Sequence, residues 1–180
     1  MRGVEYMAFK IIVLIAAIAL IIFFIIFLIR WIIFNKPTDG IKIVQYRNPN
    51  KAFLVMNMCE KFKSNYSDEF INDVNNAIQY ADDNKYKVIY LYLYKKDNSE
   101  YDKRLKVINN VFFNQNFADA FSNKEFERYL VDNRVNEIYI AGSDLACSIL
   151  KTSLGAKNRG YKINLIKKAI KTSSKKTLSL

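Results

Sequence analysis

Residues 137–166 read EIYIAGSDLACSILKTSLGAKNRGYKINLI, and this stretch decides the fold. Residues 137–141 are a short β-rich run, Gly142 opens a turn, residues 148–158 have helical spacing, and Gly160 stops that helix before a second strand at residues 161–166. Strand, helix and strand in this order form one βαβ unit with parallel strands. In an open parallel sheet, ligands gather where the turn after a strand meets a helix N-terminus. Unpaired backbone N–H groups and the helix dipole favour negative charge there. The turn at residues 142–148 is therefore the first place to look for chemistry.

The chain before this unit repeats the pattern. Residues 52–58, AFLVMNM, are a continuous apolar run of the kind found in a strand covered on both faces, which suits the centre of a sheet. Residues 67–84 predict a helix capped by Ser67 or Asp68, with Phe70, Ile71, Val74, Ala77, Ile78 and Ala81 on one face. Residues 87–94, KVIYLYLY, predict a second buried strand, and a polar loop then leads to a third at residues 107–113. After residues 119–122, Glu125, Phe126, Tyr129 and Leu130 mark a helix that delivers the chain to the central unit. The prediction is an α/β fold, a three-layer αβα sandwich with a mainly parallel sheet. Within it, Tyr90, Tyr92 and Tyr94 read as packing residues, Lys95 and Lys96 as loop solvation, and Cys59 as a small buried hydrophobe.

An appendage precedes this domain. Residues 11–29 carry no charged or strongly polar side chain, close to the ~20 residues that cross a hydrocarbon core. Residues 1–34 thus read as an N-terminal segment with one transmembrane helix at about 11–34, residues 35–50 as a linker with a β-like run at 41–46, and residues 51–180 as the domain. Arg2 and Lys10 precede the span, whereas Arg30, Lys36, Lys42, Arg47 and Lys51 follow it. This bias predicts a single-pass membrane protein with a cytoplasmic C-terminal domain. Cys59 and Cys147 suggest no disulfide framework, in keeping with a reducing compartment.

The net charge of +11 is concentrated late, since no acidic residue follows Asp144. A solvated basic face is the simplest reading, with anionic lipid head groups as a rival partner. Nucleic acid is not expected, because no aromatic-interleaved motif or recognition-helix pattern accompanies the charge. After Ile170 the sequence KTSSKKTLSL has no apolar period.

Residues 137–166 resemble the isochorismatase-like cysteine hydrolases, the superfamily related to nicotinamidase and isochorismatase, and the resemblance extends over roughly Lys51 to Ile170. The family pattern is a strand, Gly, five residues, the nucleophilic Cys, an aliphatic residue, two more residues, Thr, and a helix ending in R-G-Y. Counting six on from Gly142, or four back from Thr152, gives Ser148 as the nucleophile position, with Cys147 one place early. A one-residue bulge would bring Cys147 there instead. The family's strand ending apolar-Asp-x-Gln-x-x-Phe falls on residues 55–62 and puts Asn57 where the resemblance implies the catalytic Asp. The family's Lys, six residues before the Phe of an Ala-Phe pair, falls on Gln115, anchored by Ala120 and Phe121.

All three triad-equivalent positions, Asn57, Gln115 and Ser148, therefore hold neutral residues of similar size. An amide cannot serve as the base, and a serine without a base is a poor nucleophile. The chain has no histidine, which excludes a Ser-His-Asp triad and a His-containing metal site. The resemblance also implies an oxyanion hole built by a cis peptide between Ser143 and Asp144, with the N–H groups of Asp144 and Ser148 as donors. No cofactor or metal is expected.

The expectation is a catalytically silent, membrane-anchored domain that binds a small amide or carboxylate or acts as an interaction module. The alternative is an active amide hydrolase with Cys147 as nucleophile. Family members imply a homodimer, and a usual further helix after Ile170 implies that this domain is shortened at its C-terminus.

Overall fold

The computed structural model describes residues 2–35, 39–60, 66–93, 101–115, 117–143 and 145–171. The chain divides into two compact units, Met1–Lys36 and Pro37–Leu180. The first contains helix α1 (Arg2–Asn35), within which Lys10–Ile32 is 23 residues long and apolar enough to cross a membrane. Its apolar side chains are exposed all round, a pattern suited to a lipid environment rather than to one buried stripe.

The second unit contains strands β1 (Asn50–Met56), β2 (Lys87–Leu93), β3 (Phe112–Gln115), β4 (Val135–Ser143) and β5 (Lys162–Lys171). They form one sheet in the order β3-β2-β1-β4-β5, with every neighbouring pair parallel. The apolar run at 52–58 takes the central position because both its faces are covered. Ala52, Leu54 and Met56 enter one core, and Phe53 and Val55 enter the other. Helix α2 (Asp68–Asp83) covers the second core with Phe70, Ile71, Val74, Ile78 and Ala81, and Ser67 caps it by accepting from the Phe70 N–H at 3.2 Å. Helices α3 (Lys124–Asp132) and α4 (Leu150–Arg159) contribute to the first core. The result is the predicted αβα sandwich.

The third strand begins five residues later than the predicted 107–113 and ends two later, at Gln115. The two asparagines at 109 and 110 offer the backbone other partners. Asn109 Oδ1 accepts from the Val111 N–H at 2.9 Å, and its Nδ2 donates to the Val88 carbonyl at 3.0 Å, so this stretch rides over β2 as a loop. Gly142 likewise lies inside β4 instead of opening a turn. Its φ of 124° and the Met56 backbone against it leave no room for a Cβ. The helix predicted at 148–158 begins with a π-helical turn (Leu145–Ile149) and becomes α-helical at Leu150. Gly160 ends it with a φ of 93°, as expected, and β5 runs on to Lys171, past the predicted end at 166.

The β-like run at 41–46 joins no strand. Residues 39–46 instead form a strap on the second unit. The Ile43 N–H donates to the Arg159 carbonyl at 2.9 Å, the Ile41 N–H to Glu127 Oε1 at 2.9 Å, and the Tyr46 N–H to Asn136 Oδ1 at 3.1 Å. Groups far along the chain supply these partners, so local spacing could not reveal the strap. The predicted Tyr94, Lys95 and Lys96 and the tail beyond Lys171 lie outside the described residues.

Candidate functional site

The parallel register brings the singled-out positions to one edge of the sheet. Met56, the last residue of β1, pairs with Gly142 of β4 on one side and Leu91 of β2 on the other, while Leu93 of β2 pairs with Gln115 at the end of β3. Asn57 follows β1, Gln115 closes β3, and Ser148 lies in the π-helical turn after β4. All three are at carboxyl ends of strands, where open α/β sheets bind ligands. Asp144, and with it the peptide joining it to Ser143, lies outside the described residues.

Asn57 is left-handed, with a φ of 57°, a conformation that asparagine tolerates better than most residues. Its N–H still donates to the Leu91 carbonyl at 2.8 Å, and its own carbonyl accepts from the Tyr66 hydroxyl at 2.9 Å. The kink thus ends β1 without breaking its bond to β2. Gln115 and Ser148 are both fully buried, whereas Cys147 is only half-buried. The two polar atoms of the Gln115 amide, Oε1 and Nε2, are buried and meet no hydrogen-bond partner among the described residues. Leaving such a group unpaired costs about 1–3 kcal/mol, so most buried amides are satisfied by protein, water or ligand.

Sequence reasoning found these positions but not the contacts that hold them. Thr152 Oγ1 accepts from the Ala120 N–H at 3.0 Å, tying α4 to the 3₁₀ turn at Ala120–Ser122. The Arg159 guanidinium lies over the Phe121 ring, 4.4 Å from its centre, and Tyr161 packs on the same ring with centroids 5.8 Å apart. The Ala-Phe pair, the Thr and the R-G-Y ending, separate markers in the sequence, are thus one packed assembly under the site. Arg159 also makes a buried ion pair, from its Nε to Glu127 Oε1 at 2.6 Å. Burial pushes the Glu127 carboxyl up, but hydrogen bonds from Arg159, Lys124 and the Ile41 N–H outweigh it and hold the group below the usual carboxylate range.

Tyr90 is a packing residue, as expected, and Tyr92 stacks edge-on against Tyr101. Tyr90 is buried, donates from its hydroxyl to the Lys106 carbonyl at 3.0 Å and accepts from the Ile108 N–H at 3.0 Å. Cys59 is buried and forms an isolated bridge with Tyr101, whose hydroxyl burial pushes well above the ordinary tyrosine range. Among the described residues, no group of three or more His, Cys, Asp or Glu side chains is placed to hold a metal ion.

A five-stranded parallel sheet with a strand-end site and the interlocked Ala-Phe, Thr and R-G-Y markers defines a class of α/β hydrolase-like domains. The chain belongs to the isochorismatase family, whose model, described as the isochorismatase domain, matches residues 51–178. Solved structures share the fold. A nicotinamidase from Staphylococcus aureus is 18% identical, with a TM-score of 0.62, over 72% of this chain and 87% of that one. N-carbamoylsarcosine amidase from Thermoplasma acidophilum is 14% identical, with a TM-score of 0.63, over 72% and 88%. The MAR1 ribonuclease from Caenorhabditis elegans is 20% identical, with a TM-score of 0.62, over 76% and 72%. No curated protein matches the chain.

Proposed function

We propose that this chain is a membrane-anchored, catalytically silent isochorismatase-family domain that binds a small amide or carboxylate at the carboxyl edge of its sheet. The observation that carries the reading is Gln115, whose buried amide presents a donor and an acceptor that no group among the described residues meets. A ligand carboxamide or protonated carboxyl offers the complementary acceptor and donor. The positions equivalent to the family's Asp, Lys and Cys are Asn57, Gln115 and Ser148, which keep hydrogen bonding and packing but provide neither a base, a positive charge nor a thiolate. Helix α1 supports the anchor by its length and apolar surface, and the excess of basic residues after it supports a cytoplasmic domain. The test is a melting curve of the detergent-solubilised full chain with nicotinamide, benzamide and nicotinate. A ligand at a hundred times its Kd stabilises by about 2.7 kcal/mol. Concentration-dependent stabilisation that disappears in Gln115→Leu supports the reading, and no stabilisation by any of the three contradicts it.

One observation favours a second reading. The turn at Leu145–Ile149 is π-helical, and a π turn accommodates one extra residue relative to an α turn. That is the size of shift needed to carry the half-buried Cys147 to the family's nucleophile position. On this reading the protein is an amide hydrolase in which the Cys147 thiolate attacks the carbonyl. It requires a proton acceptor other than Asn57, whose amide cannot supply one.

A further inference from the structure

We infer that the α4–β5 side of the domain is a lipid-docking surface, made to lie against an anionic bilayer. This inference rests on the membrane-anchored reading of the chain. Helix α4 buries Thr152, Gly155, Ala156 and Arg159 on one face. Its opposite face presents Leu150 and Leu154, 43% and 42% exposed, with Lys157 continuing the same stripe. On β5, Leu165 is 45% exposed. It shares a side of that strand with Ile163, which packs on the same core as Ala156 of α4. Lys167, two positions further on, is also exposed.

Single exposed leucines are ordinary on a protein surface, but these three belong to a stretch with an unusual charge pattern. From Leu145 to Leu180 the sequence has lysine and arginine but no aspartate or glutamate. A leucine stripe flanked by lysines fits the head-group and acyl boundary of a bilayer that contains anionic lipid. A second copy of the chain is a poor occupant, because pairing this face with itself would set lysine against lysine. An acidic protein would meet the charge, yet this chain carries its own helix long and apolar enough to cross a bilayer.

Each lysine brought to an anionic surface raises occupancy about fivefold, so Lys157 and Lys167 together are worth roughly twenty-five-fold. The test places the full chain in nanodiscs of phosphatidylcholine or of phosphatidylcholine with phosphatidylserine. An environment-sensitive dye is attached in a Cys147→Ala background at Leu154→Cys and, as a control on α2, at Tyr80→Cys. Elution of the chain with neutral discs reports the α1 anchor alone, so failure of the anchor and failure of the docking surface are distinguishable.

The expected result is strong shielding of the Leu154 dye from iodide in the anionic discs only. The Tyr80 dye stays accessible in both kinds of disc, and high salt or Lys157→Gln with Lys167→Gln releases the Leu154 dye. Equal accessibility of the Leu154 dye in both discs overturns the inference. So does equal shielding in both, which would mean a protein or a second copy covers the face.

Discussion

Two buried polar clusters of the domain are built on opposite principles. At the far end of α4, Arg159 and Glu127 are charged, almost wholly buried and mutually bonded, with Lys124 and the Ile41 N–H completing the carboxylate and the Gly155 and Asp39 carbonyls taking further guanidinium protons. At the carboxyl edge of the sheet, Asn57, Gln115 and Ser148 are neutral, and the Gln115 amide meets no hydrogen-bond partner among the described residues. A buried charge is tolerable when its bonds are complete, whereas an unmet buried amide is a cost that a bound group would offset. The first cluster therefore reads as architecture and the second as the site of the proposed binding.

The sharpest way to break this contrast is Glu127→Ala. It leaves the Arg159 charge buried without its partner and is expected to cost about 3–5 kcal/mol, read as a lower midpoint of urea unfolding. A loss below about 1 kcal/mol would mean that the pair is not structural. Acid should expose the same cluster. Because the folded Glu127 carboxyl is held below its unfolded value, its stabilisation is fully present above the ordinary glutamate pKa of about 4.3 and is lost as pH falls through the depressed folded value. Stability of the wild type should fall in that window, and Glu127→Gln should flatten the profile.

Between the clusters, Thr152→Val keeps shape but leaves the buried Ala120 N–H without its acceptor. The expected loss is about 1–3 kcal/mol, with a weaker response to site ligands because the 3₁₀ turn loosens. Gln115→Leu should have the smallest effect on folding, within about 1 kcal/mol of wild type and even on the stabilising side, since it removes an unpaired polar group. If it instead destabilises as strongly as Glu127→Ala, the amide is held by protein after all and the site loses its main support.

Much of the fold was legible in the sequence, because its elements declare themselves locally. The runs at 52–58 and 87–94, the amphipathic stretch at 67–84 and the Gly160 stop all depend on neighbours within a few residues, and β1 at the centre follows from its two apolar faces. The third strand was misplaced because asparagine side chains redirect the backbone at 109–111, which composition does not reveal. The strap at 39–46 and the Arg159–Glu127 pair depend on partners 30 or more positions away, such as the 32 between Glu127 and Arg159. The candidate site divides in the same way. Counting from anchors placed Asn57, Gln115 and Ser148 at one sheet edge, but the π-helical turn and the unpartnered amide required the three-dimensional structure.

Catalytic silence is tested most directly by amide hydrolysis with the full chain in detergent, comparing wild type, Cys147→Ala and the triple variant Asn57→Asp, Gln115→Lys, Ser148→Cys on nicotinamide and an activated anilide. The account predicts background turnover for wild type and Cys147→Ala alike, with hydrolysis or fast thiol labelling appearing only in the triple variant. Turnover by wild type that Cys147→Ala abolishes would contradict it and make Cys147 the nucleophile.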